Sequence, residues 1–352
     1  MKNSLRHSEG GFTAIIITLI ISVILTLVTI GFLKIVGRDQ RQVVDRQQST
    51  QAFYAAEAGI NDAVKALGAG YNQDKTSCAP DGTASFPASS NVLDANTGTS
   101  YTCLTIDHAP RSLEYSSIKT DDARVIIING LATDGVTPQK IGHLLIGWED
   151  ENSQITTFRN PPLGAFPTSA AWGVSPGVMR MSITPLSSFH RSDLINNTFT
   201  AFLYPLNGSA GVNGTTSYTT SLTAQGPIVS GSCNTANLPR KCNVDIDLTA
   251  ANQSSFMLVL RSIYSPSSVS VKAYPGAVGG TALRIGGAQS LVDSTGKAYD
   301  VLRRIQARVP SRNDYAYPAA ALNSGQDVCK QYSLMPDIVG LSPTNQSTTS
   351  CN

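Results

Sequence analysis

The sequence predicts an α+β protein. One long N-terminal helix, transmembrane in its first half and amphipathic in its second, is expected to pack on an antiparallel β-rich head with an additional β subdomain. Three observations predict this. No charged residue occurs from Phe12 to Leu33. Helical periodicity then continues, with no proline anywhere from Met1 to Ala79. Beyond residue 70 the pattern changes to short β-branched runs separated by Gly, Ser and Asn.

Composition narrows the class. Of 352 residues only 14% are charged, and the net charge is +2. That argues against a basic nucleic-acid surface as the main function, so no direct nucleic-acid partner is expected. Sparse charge with abundant Gly, Ser, Thr and Asn suits an extracellular surface protein better than a cytosolic enzyme.

The apolar run comes first. At about 1.5 Å per residue it spans the ~30 Å hydrocarbon core of a bilayer. A secretory signal fits poorly, because the run is long and its exit reads IVGRDQRQ, without an Ala-x-Ala-like site. Lys2 and Arg6 precede it, while Lys34, Arg38, Arg41 and Arg46 follow. Counting bases therefore does not orient the span. The cysteines place its C-terminal side outside. Within it Ala14, Thr18, Ser22 and Thr26 fall four apart, with Thr29 three further on. Such a stripe lets helices approach closely in a membrane. The other reading is that each hydroxyl bonds back to its own helix.

After Arg38 the helix turns polar, and Phe53, Ala56, Ile60, Val64 and Leu67 recur at three and four, one apolar face. Gly68 and Gly70 supply a stop. One helix over 12–67, transmembrane over about 12–36 and roughly 80 Å long, is the expectation. Gly31 and Gly37 mark where it is weakest. Glu57, among Ala55, Ala56 and Ala58, is a candidate assembly contact or simply a solvated carboxylate.

The head is expected in two parts, 68–153 and 253–312, around an inserted or second β subdomain, 154–252. RVIIINGL (124–131) and KIGHLLIGW (140–148) flank DGVTPQ and read as a hairpin. TFTAFLY (198–204), SFMLVLRSIY (255–264), SVSVKAY (268–274) and YDVLRRIQARV (299–309) read as strands, the last preceded by a turn at STGK. Six cysteines at three short separations suggest Cys78–Cys103, Cys233–Cys242 and Cys329–Cys351 in an oxidising compartment; six buried free thiols are the alternative. The last pair would close a tail, 313–352, and be worth roughly 3 kcal/mol by chain entropy. No CxxC occurs, and His7, His108, His143 and His190 stand apart from the cysteines. Zinc is poorly supported.

Chemistry is sparse. Gly173-Val174-Ser175-Pro176-Gly177 matches a nucleophile-elbow string, but Pro176 has no N–H to give an oxyanion hole. No enzyme and no cofactor is expected. Asp293 to Asp300 and Asp121-Asp122 are weak calcium candidates whose spacing follows no EF-hand. The strings at Asn207 and Asn213 are what a chain rich in Ser, Thr and Asn yields by chance.

Gly10-Gly11 closing a short basic leader, Phe12 after it, and a spanning helix that runs on amphipathically resemble a type IV pilin or pseudopilin precursor. AFYAAEAGINDAV (52–64) is similar to PilX-type minor pilins and K-type pseudopilins. The resemblance covers residues 6 to about 67. It implies cutting after Gly11 by a prepilin peptidase and N-methylation of Phe12. It further implies residence in the bacterial cytoplasmic membrane, then helix bundling with other pilin subunits in a surface filament. Major pilins carry a glutamate five residues into the mature chain; Ile16 stands there, which suits a minor or tip subunit. Leu33 occupies the place of a frequent helix-breaking proline. A K-type pseudopilin of a secretion system and a static membrane-anchored binding protein are the alternatives.

Overall fold

The computed structural model describes residues 10–311 and 315–318, apart from 89–90, 97, 121, 153, 155–157, 159–171, 173–174, 188–195, 220–226 and 238; of residues 10–13 and 315–318 it describes the backbone alone. Helix α1 runs from Gly10 to Gly68, 59 residues, without interruption at Gly31 or Gly37. At 1.5 Å per residue this is about 88 Å. Its C-terminus closes with backbone bonds from Ala69, Gly70 and Tyr71 to the last turn, Gly70 adopting φ +99°.

Among the described residues sixteen strands follow: β1 (Val92–Asp94), β2 (Thr99–Asp107), β3 (Leu113–Ile118), β4 (Asp122–Leu131), β5 (His143–Asp150), β6 (Val178–Pro185), β7 (Phe199–Asn207) and β8 (Gly214–Ser217). Then come β9 (Ile228–Cys233), β10 (Cys242–Asp247), β11 (Ser255–Ile263), β12 (Ser267–Tyr274), β13 (Arg284–Gly286), β14 (Gln289–Ala298), β15 (Val301–Pro310) and β16 (Tyr315–Pro318). They form two sheets. A four-stranded antiparallel sheet has the order β1-β2-β14-β15. A twelve-stranded sheet has the order β13-β4-β11-β6-β7-β9-β10-β5-β12-β3, with β16 on β4 and β8 on β10. The chain is α+β, as expected.

The large sheet curls into a near-barrel. Its two end regions meet where Ile285 N donates to Pro110 O at 3.0 Å and Leu283 N to Ala273 O at 2.8 Å. One apolar cluster fills it, including Trp148, Ile126, Met181, Leu258 and Val271, all fully buried. The indole Nε1 of Trp148 donates to Gly177 O at 2.9 Å, so this buried donor is satisfied. A separate cluster, Ala63, Ala66, Phe86, Tyr101, Leu104, Ile106 and Val292, joins the helix to the small sheet.

The strands of 154–252 do not form a subdomain of their own. β6 to β10 hydrogen-bond in one sheet with β4, β5, β11 and β12. What interrupts the small sheet is everything between β2 and β14, about 108–288.

Two local expectations are corrected. DGVTPQ does close a small loop, with Ala132 N donating to Thr137 O and Gln139 N to Gly130 O. Yet β4 and β5 do not pair. β5 finds full-length partners in β10 and β12 instead, from Cys242↔Trp148 to Ser267↔Asp150. STGK is no turn but the C-terminal half of β14; the chain reverses at Tyr299-Asp300, between paired Ala298 and Val301, with Tyr299 at φ +55°. Ser294 and Gly296 look like turn residues. They are small because the helix lies on them.

Candidate functional site

The sites anticipated from the sequence lie mostly on α1. Gly11 and Phe12 fall in its first turn; their side chains, and residues 1–9, lie outside the described residues. From Ala14 to Leu33 every residue is exposed, and by length and composition this segment can cross a membrane. Ala14, Thr18, Ser22 and Thr26 are all exposed. Thr18 Oγ1 donates to Ile15 O at 2.8 Å, Thr26 Oγ1 to Ser22 O at 2.7 Å and Thr29 Oγ1 to Leu25 O at 2.8 Å. These hydroxyls are therefore satisfied within the helix, leaving an uncharged small-residue surface. Ile16 is 43% exposed. Glu57 is exposed, and lies about 60 Å along the helix from Ile16.

The helix sits on its sheet by a different face from the one the large apolar residues suggest. Ala52, Ala55, Ala56 and Ala63 are fully buried, and Ala66 is nearly so. Phe53, Tyr54 and Val64 are 49%, 61% and 43% exposed. Small residues win because the backbones approach closely. A Cβ on Gly296 would stand 2.0 Å from Ala52 O and 2.3 Å from Ala56 N; one on Gly59 would stand 2.3 Å from Ser294 Oγ. Asp62 fixes one flank by accepting from Tyr101 Oη on β2 at 2.9 Å, and Ser49 fixes the other by accepting from Arg303 Nε on β15 at 2.8 Å. Sequence reasoning missed this seat, although small residues at spacings of three and four (52, 55, 56, 59, 63, 66) were its signal.

A second constellation unseen in the sequence ties the helix-bearing head to the near-barrel. Arg284, 10% exposed, donates to Asp74 Oδ2 at 2.6 Å, to Asp74 Oδ1 at 2.7 Å and to Asp107 Oδ1 at 2.5 Å. Its Nε donates to Ala109 O at 2.9 Å. Asp74 also accepts from His108 N at 3.1 Å and meets His108 Nδ1 at 2.8 Å, while His108 Nε2 meets Gly135 O at 3.0 Å. The Arg284 hydrogen bonds hold the Asp74 carboxyl well below the usual range, against partial burial, with His108 helping. The same bonds raise the guanidinium further above its already high value. This is a charge-assisted clamp between parts of the chain 210 residues apart.

Cys78–Cys103 and Cys233–Cys242 are disulfides, and no free cysteine remains among the described residues. The free-thiol reading is thus overturned for these four. Cys329 and Cys351 lie outside the described residues, as do Asp121, His7 and His190. His143 pairs with Asp245 at 3.0 Å. Ser175 is buried, its carbonyl accepting from Trp172 Nε1 at 3.2 Å. Asp293 and Asp300 do not converge. Asp293 is ion-paired with Arg304 five residues up the strand from the turn that holds Asp300, roughly 17 Å away. Among the described residues no three His, Cys, Asp or Glu side chains cluster to hold a metal.

The chemistry on view is that of surfaces: an exposed apolar helix able to lie in lipid or against other helices, and a disulfide-braced β head on its far half. No protein-family model, curated protein or solved structure matches the chain.

Proposed function

We propose that this chain is a minor or tip subunit of a type IV pilus-like filament. It is cut between Gly11 and Phe12 by a prepilin peptidase and N-methylated on Phe12. It then moves from the cytoplasmic membrane into the filament by bundling its helix with those of other subunits. One observation carries this reading: a single unbroken helix that begins at Gly10-Gly11-Phe12, exposed and apolar for its first part and seated on its own antiparallel sheet for its second. A static anchor has no need of a rigid helix continuous from lipid into the head.

Ile16 supports the tip position. A carboxylate there would serve to neutralise the N-terminal amine of the subunit ahead, and a first subunit has none ahead. Ile16 also favours a second reading within the class, a K-type pseudopilin of a secretion system.

The test is the mature N-terminus. Mass spectrometry of the protein from its native membrane should find a chain beginning with methylated Phe12. An intact Met1, or a cut beyond Leu33, would sink the reading. Replacing Gly11 with a bulky residue should leave the precursor in the membrane and remove the protein from sheared surface filaments.

A further inference from the structure

The four-stranded sheet lacks a strand on one side. β15 pairs with β14 along its whole length, from Gln289↔Pro310 to Ala298↔Val301. Among the described residues nothing pairs with its other edge, which presents unpaired N–H and C=O groups along a ten-residue strand. Beside that edge lies one flank of α1. Ser49, bonded to Arg303, marks it; Phe53, Ile60 and Val64 follow at spacings of four, seven and four on the same side of the helix. Phe53 and Val64 are exposed, and Ile60 is half-buried. The side chains of β15 that face the helix, Val301, Ile305, Ala307 and Val309, are also only half-buried. A hydrogen-bonding edge and an apolar lip thus form two sides of one open groove. β15 carries Arg303, Arg304 and Arg308 and no acidic residue; only Arg304 has a carboxylate, Asp293, among the described hydrogen-bond partners of these three.

We propose that the free edge of β15, with the Phe53–Ile60–Val64 flank of the helix, is a docking site for an extended, acidic segment of another polypeptide chain, which adds there as a fifth strand. Backbone bonds to β15 give the affinity. Alternate apolar side chains of the incoming segment cover the helix flank, and its carboxylates, on the opposite face, meet Arg308 and the exposed Arg304. Charge complementarity selects an acidic segment and disfavours pairing of β15 with its own copy, which would oppose arginine to arginine. The site goes beyond the filament reading and holds whether or not the helix is cut at Gly11.

The probe is a short fluorescein-labelled peptide in which valine alternates with glutamate and threonine, titrated by anisotropy against the full chain in detergent micelles. Saturable binding is expected, weakened roughly tenfold by Phe53→Asp and by Val64→Asp, about 1.4 kcal/mol each. Both positions are exposed, so the variants are expected to keep the melting temperature. N-methylating one alternate set of peptide amides should abolish binding, while methylating the other set should not. In hydrogen exchange, alternate amides of β15 should exchange rapidly in the free chain and become protected with peptide. Binding equal in wild type and both aspartate variants, or indifferent to N-methylation, overturns the proposal. So does protection of those amides without peptide, which would mean that the chain covers its own edge.

Discussion

Replacing Gly296 by alanine tests how the helix is held. The added methyl would stand 2.0 Å from Ala52 O and 2.3 Å from Ala56 N, and both obstacles are backbone. No rotamer change relieves them, so helix and strand must separate by an ångström or more, loosening the contacts of Ala52, Ala55 and Ala56. Overpacking against an unyielding neighbour costs about 3 kcal/mol. For a head of this size that lowers the melting temperature by about 6–12 °C. Thermal melts of the full chain in detergent, followed by near-ultraviolet circular dichroism, read it directly. Gly59→Ala is the internal comparison. Its methyl would meet a hydroxyl, Ser294 Oγ, at 2.3 Å, and that oxygen is buried without a hydrogen-bond partner. Ser294→Ala should therefore be tolerated or mildly stabilising, and should rescue most of the Gly59→Ala loss. It should not rescue Gly296→Ala. If Gly296→Ala melts with wild type, or if Ser294→Ala rescues both glycine variants equally, the close-contact argument is wrong.

The remaining predictions concern the clamp, the disulfides and the filament position. Arg284→Ala leaves Asp74 and Asp107 without their buried partner and should cost about 3 kcal/mol, measured by urea denaturation at neutral pH. Because the folded Asp74 carboxyl is held below its unfolded value of about 3.9, its stabilisation is present above that pH and lost as pH falls through the folded value. The wild type should lose stability more steeply on acidification below about pH 4 than Arg284→Ala does; parallel profiles would refute the clamp. Replacing Cys78 and Cys103 by alanine opens a loop of 25 residues and should cost about 3.5 kcal/mol, against about 2.6 for the 9-residue separation of Cys233 and Cys242. A reversed order in equilibrium unfolding would count against the chain-entropy account. Ile16→Glu supplies the missing carboxylate, and immunogold labelling should then find the subunit along filaments as well as at their ends. Unchanged labelling would remove the basis of the tip assignment.

How far the sequence could be read followed the range of the interactions. The helix was legible to within two residues at either end, because absent prolines and Gly68 are local signals. Strands such as β4, β11 and β12 were legible from β-branched runs. Partnership was not. Nothing near DGVTPQ says that β5 belongs with β10 and β12. The seat was misread for a physical reason: large apolar residues signal burial where surfaces meet through side chains, whereas here Gly296 and Gly59 bring backbones together and Phe53 and Val64 are left outside. The clamp was invisible because Asp74 and Arg284 are ordinary charges until the fold brings them together. Adjacent cysteine pairs were found by proximity, since short separations close at little entropic cost.

The way the near-barrel is spliced into the small sheet has a consequence for what this architecture can carry. Asp107 and Leu291 are direct antiparallel partners, so the chain leaves β2 and re-enters β14 at neighbouring positions, about 5 Å apart. Some 180 residues hang from two adjacent points on a sheet whose other face is committed to the helix. Such a module is a cassette. It can enlarge, shrink or be exchanged for another fold whose termini lie side by side, with a tight turn as the limiting case, and the helix seat need not change. What such an exchange would have to replace is the Arg284 clamp to Asp74 and Asp107, the charged contact that crosses the splice.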